Sequence, residues 1–193
     1  MEHFYTIQGE GANTGKPAYF LRLGGCDVGC VWCDVKESWE AEKHPPVSVK
    51  QMVHWVKQAG AVRCVITGGE PLIYDLGPLT RELKKHEIET MIETSGAHPF
   101  SGEFDWVCFS PKKFKNPHES IYRYADELKI IVYHKSDLAW GLDHASRVKK
   151  ECRLFFQPEW SREKEMLPLI IDFVKQHPAW TISLQTHKYM DIP

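Results

Sequence analysis

The hydrophobic pattern of this chain alternates between two periods. Apolar runs at residues 18–23, 61–67, 89–94, 106–110, 128–132, 152–156 and 181–184 read as strands, with 61–67 (AVRCVIT) as a buried one. Between them the spacing turns helical. Ser48 caps a helix that carries Val49, Met52, Val53 and Val56 on one face. Further helices are predicted at 76–85, at 119–124 as a short one, at 136–149, and within 162–176, where Pro168 starts or kinks the helix. Residues 5–15, rich in glycine and polar groups, read as a loop, and the charged, proline-punctuated segment 36–46 as a surface excursion.

Strands that alternate with helices imply an α/β fold with a parallel sheet and right-handed crossovers. A complete eight-fold barrel typically takes about 250 residues. This chain has 193, so an incomplete, open TIM-like barrel is expected, as one domain over 1–193. Polar signals follow the carboxyl ends of the strands: the loop after 18–23, Gly68-Gly69-Glu70-Pro71, Glu93-Thr94-Ser95-Gly96, Ser110-Pro111-Lys112 and Gln157-Pro158. Parallel α/β sheets bind ligands at that edge. One such turn is ordinary, but five at equivalent positions mark a site.

Charge and composition narrow the class. The net charge of −2 gives no basic footprint for nucleic acid. No apolar run reaches transmembrane length, and the start has no secretory pattern. Cysteines without a secretory signal indicate a reducing cytoplasm and metal binding rather than disulfides. Cys64, Cys108 and Cys152 each sit in an apolar run and read as core.

The remaining three cysteines carry the chemistry. Cys26, Cys30 and Cys33 are spaced Cys-x3-Cys-x2-Cys, with Gly24, Gly25 and Gly29 flanking and interrupting them. A cubane iron–sulfur cluster normally takes four thiolates, so three leave one iron open to a cofactor or substrate. A zinc site completed by a histidine is the alternative on the residues alone. Cys-x3-Cys-x-aromatic-Cys resembles the signature of the radical S-adenosylmethionine (SAM) superfamily. That resemblance implies a [4Fe-4S] cluster on Cys26, Cys30 and Cys33, with SAM chelated at the open iron. It also implies that Gly68, Gly69 and Glu70 line the SAM amino group. Ser95 would face the SAM carboxylate, Lys112 and Gln157 would add polar contacts, and Trp32 would lie beside adenine.

Outside the cysteines the chain reads YTIQGEG, LRLGGC, WCD, ETSG and LQTHKYMDIP, which together resemble the 7-carboxy-7-deazaguanine synthase family from residue 5 to the last residue. This implies a pterin substrate, 6-carboxy-5,6,7,8-tetrahydropterin, contracted with loss of ammonia in deazapurine (queuosine) biosynthesis. No catalytic residue is expected beyond the cluster and SAM. Gln8, Glu10, Arg22, Thr67, His187 and the carboxylate of Pro193 would form the substrate site, with Glu10 accepting from the guanidine-like edge and Arg22 gripping the carboxylate. A homodimer and a one-electron donor such as flavodoxin or ferredoxin are implied too. So is Mg2+, though Val35 stands where the family often has a hydroxyl, and magnesium demands oxygen ligands. Two other readings are an activase that makes a glycyl radical on a partner protein, and a non-catalytic zinc or iron–sulfur module.

Overall fold

The computed structural model describes residues 1–193. Eight strands form one sheet in chain order: β1 (Glu2–Ile7), β2 (Pro17–Leu23), β3 (Arg63–Gly68), β4 (Glu89–Thr94), β5 (Trp106–Phe109), β6 (Glu127–Val132), β7 (Arg153–Pro158) and β8 (Trp180–Ile182). β1 runs antiparallel to β2, and every later neighbour is parallel. β8 does not pair with β1, so the barrel is open, as expected. The helices are α1 (Val49–Gln58), α2 (Gly77–Lys84), α3 (Ile121–Tyr124), α4 (Ser136–Ala145), α5 (Glu163–Gln176) and α6 (Thr186–Met190).

Two elements correct the sequence reading. Residues 5–7 belong to β1, not to a loop, and the sheet is therefore not wholly parallel. The first residues of β1 are exposed, so no buried face betrays the strand in sequence. It is held from the side instead, by Phe4 stacked on Phe20 at 5.5 Å and by a 2.5 Å hydrogen bond between the His3 ring and the Tyr19 hydroxyl. The second is α6, for which the hydrophobic pattern predicts no helix, since it buries no residue. One boundary also moves, while α5 falls within the expected 162–176. α4 stops at Ala145, where the Ser146 hydroxyl turns back to the Asp143 carbonyl at 2.7 Å, a bond that competes with helix continuation. Pro168 lies inside α5, which runs on past it to Gln176.

Side-chain alternation splits the strands into two layers. The outward set, including Leu21, Ile66, Ile92, Phe109, Ile130 and Phe156, packs beneath the helices and is almost wholly buried. Each such side chain contributes about 1.5–3 kcal/mol relative to exposure. The inward set starts apolar, with Ala18, Val65 and Met91 against Phe20 and Trp106. Toward the carboxyl ends of the strands it turns polar, at Arg22, Thr67, Glu93, Ser110, Lys129 and Gln157. The same period of two that fills the barrel at one level leaves a polar cleft at the carboxyl ends of the strands.

Candidate functional site

That cleft encloses about 1040 Å3 counting its open mouth, and the three thiols of Cys26, Cys30 and Cys33 all line it. None is in a disulfide. Their loop leaves β2 under tight backbone control. Gly25 N donates to Ser38 O at 2.6 Å, Cys26 N to Trp39 O at 3.1 Å, and Glu70 N to Gly25 O at 2.9 Å. The glycines after β3 make this possible. A Cβ at Gly69 would overlap the Gly25 carbonyl and come within 2.7 Å of Cys26 Cβ. The close approach that Gly69 permits is thus to the backbone of the cysteine loop, and that at Gly68 is to the Leu23 backbone at the end of β2.

The donor set suits a cluster. Burial raises the Cys26 thiol and pushes Cys30 up to about 11, with Lys112 opposing the shift at Cys30. Such thiols stay protonated until a metal ion displaces the proton, as coordination does. No three His, Cys, Asp or Glu side chains are grouped as a single ion requires. A cluster asks less, because each thiolate meets a different iron. The magnesium set does not fit: Val35 offers no oxygen, and Asp34 pairs with Lys188 at 3.3 Å.

Around the thiols, several expected contacts turn out to be occupied by the protein. Glu70 is 1% exposed. One of its oxygens accepts from Leu72 N at 3.0 Å and the Thr94 hydroxyl at 2.5 Å, the other from Ser95 N at 2.8 Å and the Ser95 hydroxyl. A carboxylate has about four lone-pair sites, so Glu70 is saturated, and so is the acceptor that Ser95 seeks. The pair knits the end of β3 to the end of β4. Lys112 is not a solvated surface charge: its ammonium bonds Ser110 O and the Ser110 hydroxyl at 2.5 and 2.7 Å and lies 5.8 Å from the Trp32 ring. Burial lowers its pKa, with the Cys30 thiol next among the influences on it. Trp32 also meets Phe114 edge-on at 6.2 Å.

The opposite side of the cleft holds a charged floor. Lys129 bonds Glu10 at 2.7 Å and Glu93 at 2.8 Å. Gln185 donates to the other Glu10 oxygen at 2.8 Å, and Gln8 to the other Glu93 oxygen at 3.1 Å. Gln157, 2% exposed, accepts from the Ser183 hydroxyl at 2.6 Å and belongs to this side rather than to the thiols. Arg22 and Thr67, register neighbours on β2 and β3, also line the cleft. Arg22 reaches Glu2 at 2.5 Å, yet its buried Nε makes no well-directed hydrogen bond. The contact is one of charge rather than of a formed bond.

Three predicted residues do not line the cleft. Gln8 acts behind Glu93. His187 packs beneath Gly9, where a Cβ would overlap its ring, and burial lowers its pKa. Pro193 is exposed beyond α6. The residues that sequence reasoning missed are Glu93, Lys129 and Gln185. Lys129 had a signal: it is the one charge in the apolar run LKIIV, at an inward position.

Comparison with known proteins agrees with this geometry. The radical SAM superfamily profile matches residues 21–107, from β2 through β5. A 7-carboxy-7-deazaguanine synthase of Flavobacterium psychrophilum is 53% identical over 100% of this chain and 91% of its own length. That of Synechocystis sp. is 44% identical over 99% and 91%. The crystal structure of QueE from Escherichia coli superposes with a TM-score of 0.86 at 33% identity, over 96% of this chain and 92% of that one. With the open barrel, the thiol triplet and full-length likeness in agreement, the chain belongs to the 7-carboxy-7-deazaguanine synthase family of the radical SAM superfamily.

Proposed function

We propose that this enzyme takes 6-carboxy-5,6,7,8-tetrahydropterin to 7-carboxy-7-deazaguanine, with Cys26, Cys30 and Cys33 holding a [4Fe-4S] cluster that carries SAM. The observation that carries the reading is the floor of the cleft. The Glu10 and Glu93 carboxylates, bridged by Lys129 and flanked by amides, line one cavity with the thiols, and a pterin offers a row of N–H donors to such a surface. When bound, the cluster and SAM supply reductive cleavage of a carbon–sulfur bond and so the means to remove a hydrogen atom from substrate.

The chain's own residues place the partners. Glu10 accepts from the guanidine-like edge of the pterin. Arg22, whose ion pair to half-exposed Glu2 is exchangeable, turns to the substrate carboxylate, a pairing a guanidinium makes in bidentate fashion. Trp32 offers a face for adenine. Gly68 and Gly69 set the cysteine loop against β3, and Glu70 and Ser95 fix the adjoining turn. Positioning of this kind matters because transfer between carbon centres demands near-contact geometry. A magnesium ion has no part in the reading, since the residues at Asp34 and Val35 do not fit one. No helix is long and apolar enough to cross a membrane. A flavodoxin or ferredoxin as electron donor, a homodimer and a cytoplasmic setting complete the proposal on the strength of the family alone.

Anaerobic turnover tests it. Reconstituted enzyme, SAM, a low-potential reductant and the carboxytetrahydropterin should yield the deazaguanine acid, and Cys30→Ala should yield neither product nor cluster. SAM cleavage without consumption of the pterin, or a normal cluster in Cys30→Ala, would sink the reading. A glycyl-radical activase predicts a protein-docking role and no such floor.

A further inference from the structure

We propose that Lys129 is the positioning residue of the cleft floor: its one ammonium spans Glu10 and Glu93 and fixes both carboxylates as a paired acceptor for the pterin's donor edge. The inference rests on the substrate reading above and assigns a role to a residue that reading does not use. Lys129 is only 4% exposed at its side chain, and it comes from β6. The carboxylates it joins come from the loop after β1 and from β4. The other link between those two segments at this level is the neutral Gln8–Glu93 hydrogen bond at 3.1 Å, so Lys129 is the cation that spans both carboxylates. Gln185 and Gln8 hold the outer oxygens, and each carboxylate oxygen keeps a lone pair for a ligand.

The charges around the ammonium fit this role. Glu127 lies one inward step below Lys129 on β6, and Cys108 faces it from β5. Lys112 is a second cation within its electrostatic reach, and His187 lies near Glu10. Burial alone would raise Glu10. The Lys129 charge and hydrogen bond, with Gln185 and Gln157, outweigh that and bring its pKa down to about 2. Two partly buried carboxylates left side by side without the ammonium would repel each other, which favours uptake of a proton by one. A protonated carboxyl donates where the pterin needs an acceptor.

The test uses the reconstituted enzyme and two readouts. Carbon-13 NMR of the glutamate side chains follows the carboxyls without any substrate. Native protein should show no titration of Glu10 between about pH 5 and 9, and Lys129→Met should bring a floor carboxyl into that window. Carboxytetrahydropterin affinity should be flat with pH in the native protein. In Lys129→Met it should be at least tenfold weaker at the acid end, and Lys129→Arg should restore the flat profile. If Lys129→Met does not fold, the charge-balanced Lys129→Met/Glu93→Gln variant carries the Glu10 titration. Absence of a new titration, or pterin affinity equal to native at every pH, overturns the proposal. A native protein that fails to bind the pterin overturns the substrate reading instead, while the carboxyl titration still decides the role of Lys129.

Discussion

Glu70 shows what a residue type alone leaves out. In sequence it is an acid in a glycine turn at the ligand edge, and it reads as a ligand contact. In the fold its four acceptor sites are taken by Leu72, Thr94 and Ser95. Partner counts are set by distant segments, so no local pattern reveals them. Glu70→Gln puts an amide donor where an acceptor is needed. We expect it to lower stability by about 1.5–3 kcal/mol in urea denaturation, the worth of a charge-assisted hydrogen bond. A loss of SAM affinity at unchanged stability would show Glu70 to be a ligand contact after all. His144 gives a pH prediction. It is 5% exposed, its ring bonds the Tyr122 hydroxyl at 2.8 Å, and burial brings its pKa from 6.5 down to about 4. The unfolded chain therefore binds the extra proton first, and stability falls as pH drops from about 6.5 toward 4. The loss amounts to about 3 kcal/mol at most. His144→Phe should melt at a temperature less sensitive to acid over that range, and equal acid sensitivity would remove His144 as the cause.

At the scale of elements, the seven parallel strands were legible because their apolar runs are short and bounded by turn residues. β1 and α6 were not, since one is an edge strand with an exposed face and the other buries nothing. The cysteine loop was legible as a metal site but not as a packed one. Its dependence on the β3 turn yields a paired test. Gly69→Ala should displace the loop and lose most of its iron, because the added Cβ meets the Gly25 carbonyl. Gly29→Ala meets nothing within 4 Å, although its φ of +75° strains any other residue. It should keep its iron at a cost of about 1 kcal/mol in stability. Equal iron content in both would mean that crowding against Gly25 does not govern the loop.

At the scale of the whole molecule, the site joins two unlike halves. The thiol side is built from β2, β3 and β4, which are adjacent both in sequence and in the sheet. The floor draws on both ends of the chain. Thr186 N donates to Gly9 O at 2.9 Å, Gly11 N to the Ser183 hydroxyl at 2.9 Å, and Ala12 N to Glu127 at 3.0 Å. Sequence patterns showed the motifs at the two ends but not that they touch. Gly9→Ala drives a Cβ into the His187 ring. It should weaken pterin affinity tenfold or more, read by equilibrium binding, with iron content unchanged. Loss of iron as well would show that the halves are not separable.

The open seam between β8 and β1 therefore gives the enzyme an order of assembly and of failure. During synthesis the thiol half is complete while the ribosome still holds the residues that close the floor. In the finished protein, chain ends are where local opening starts. Fraying at either end undoes the floor first, and a molecule caught in that state keeps its place for a reactive cofactor while losing the surface that directs it to a substrate.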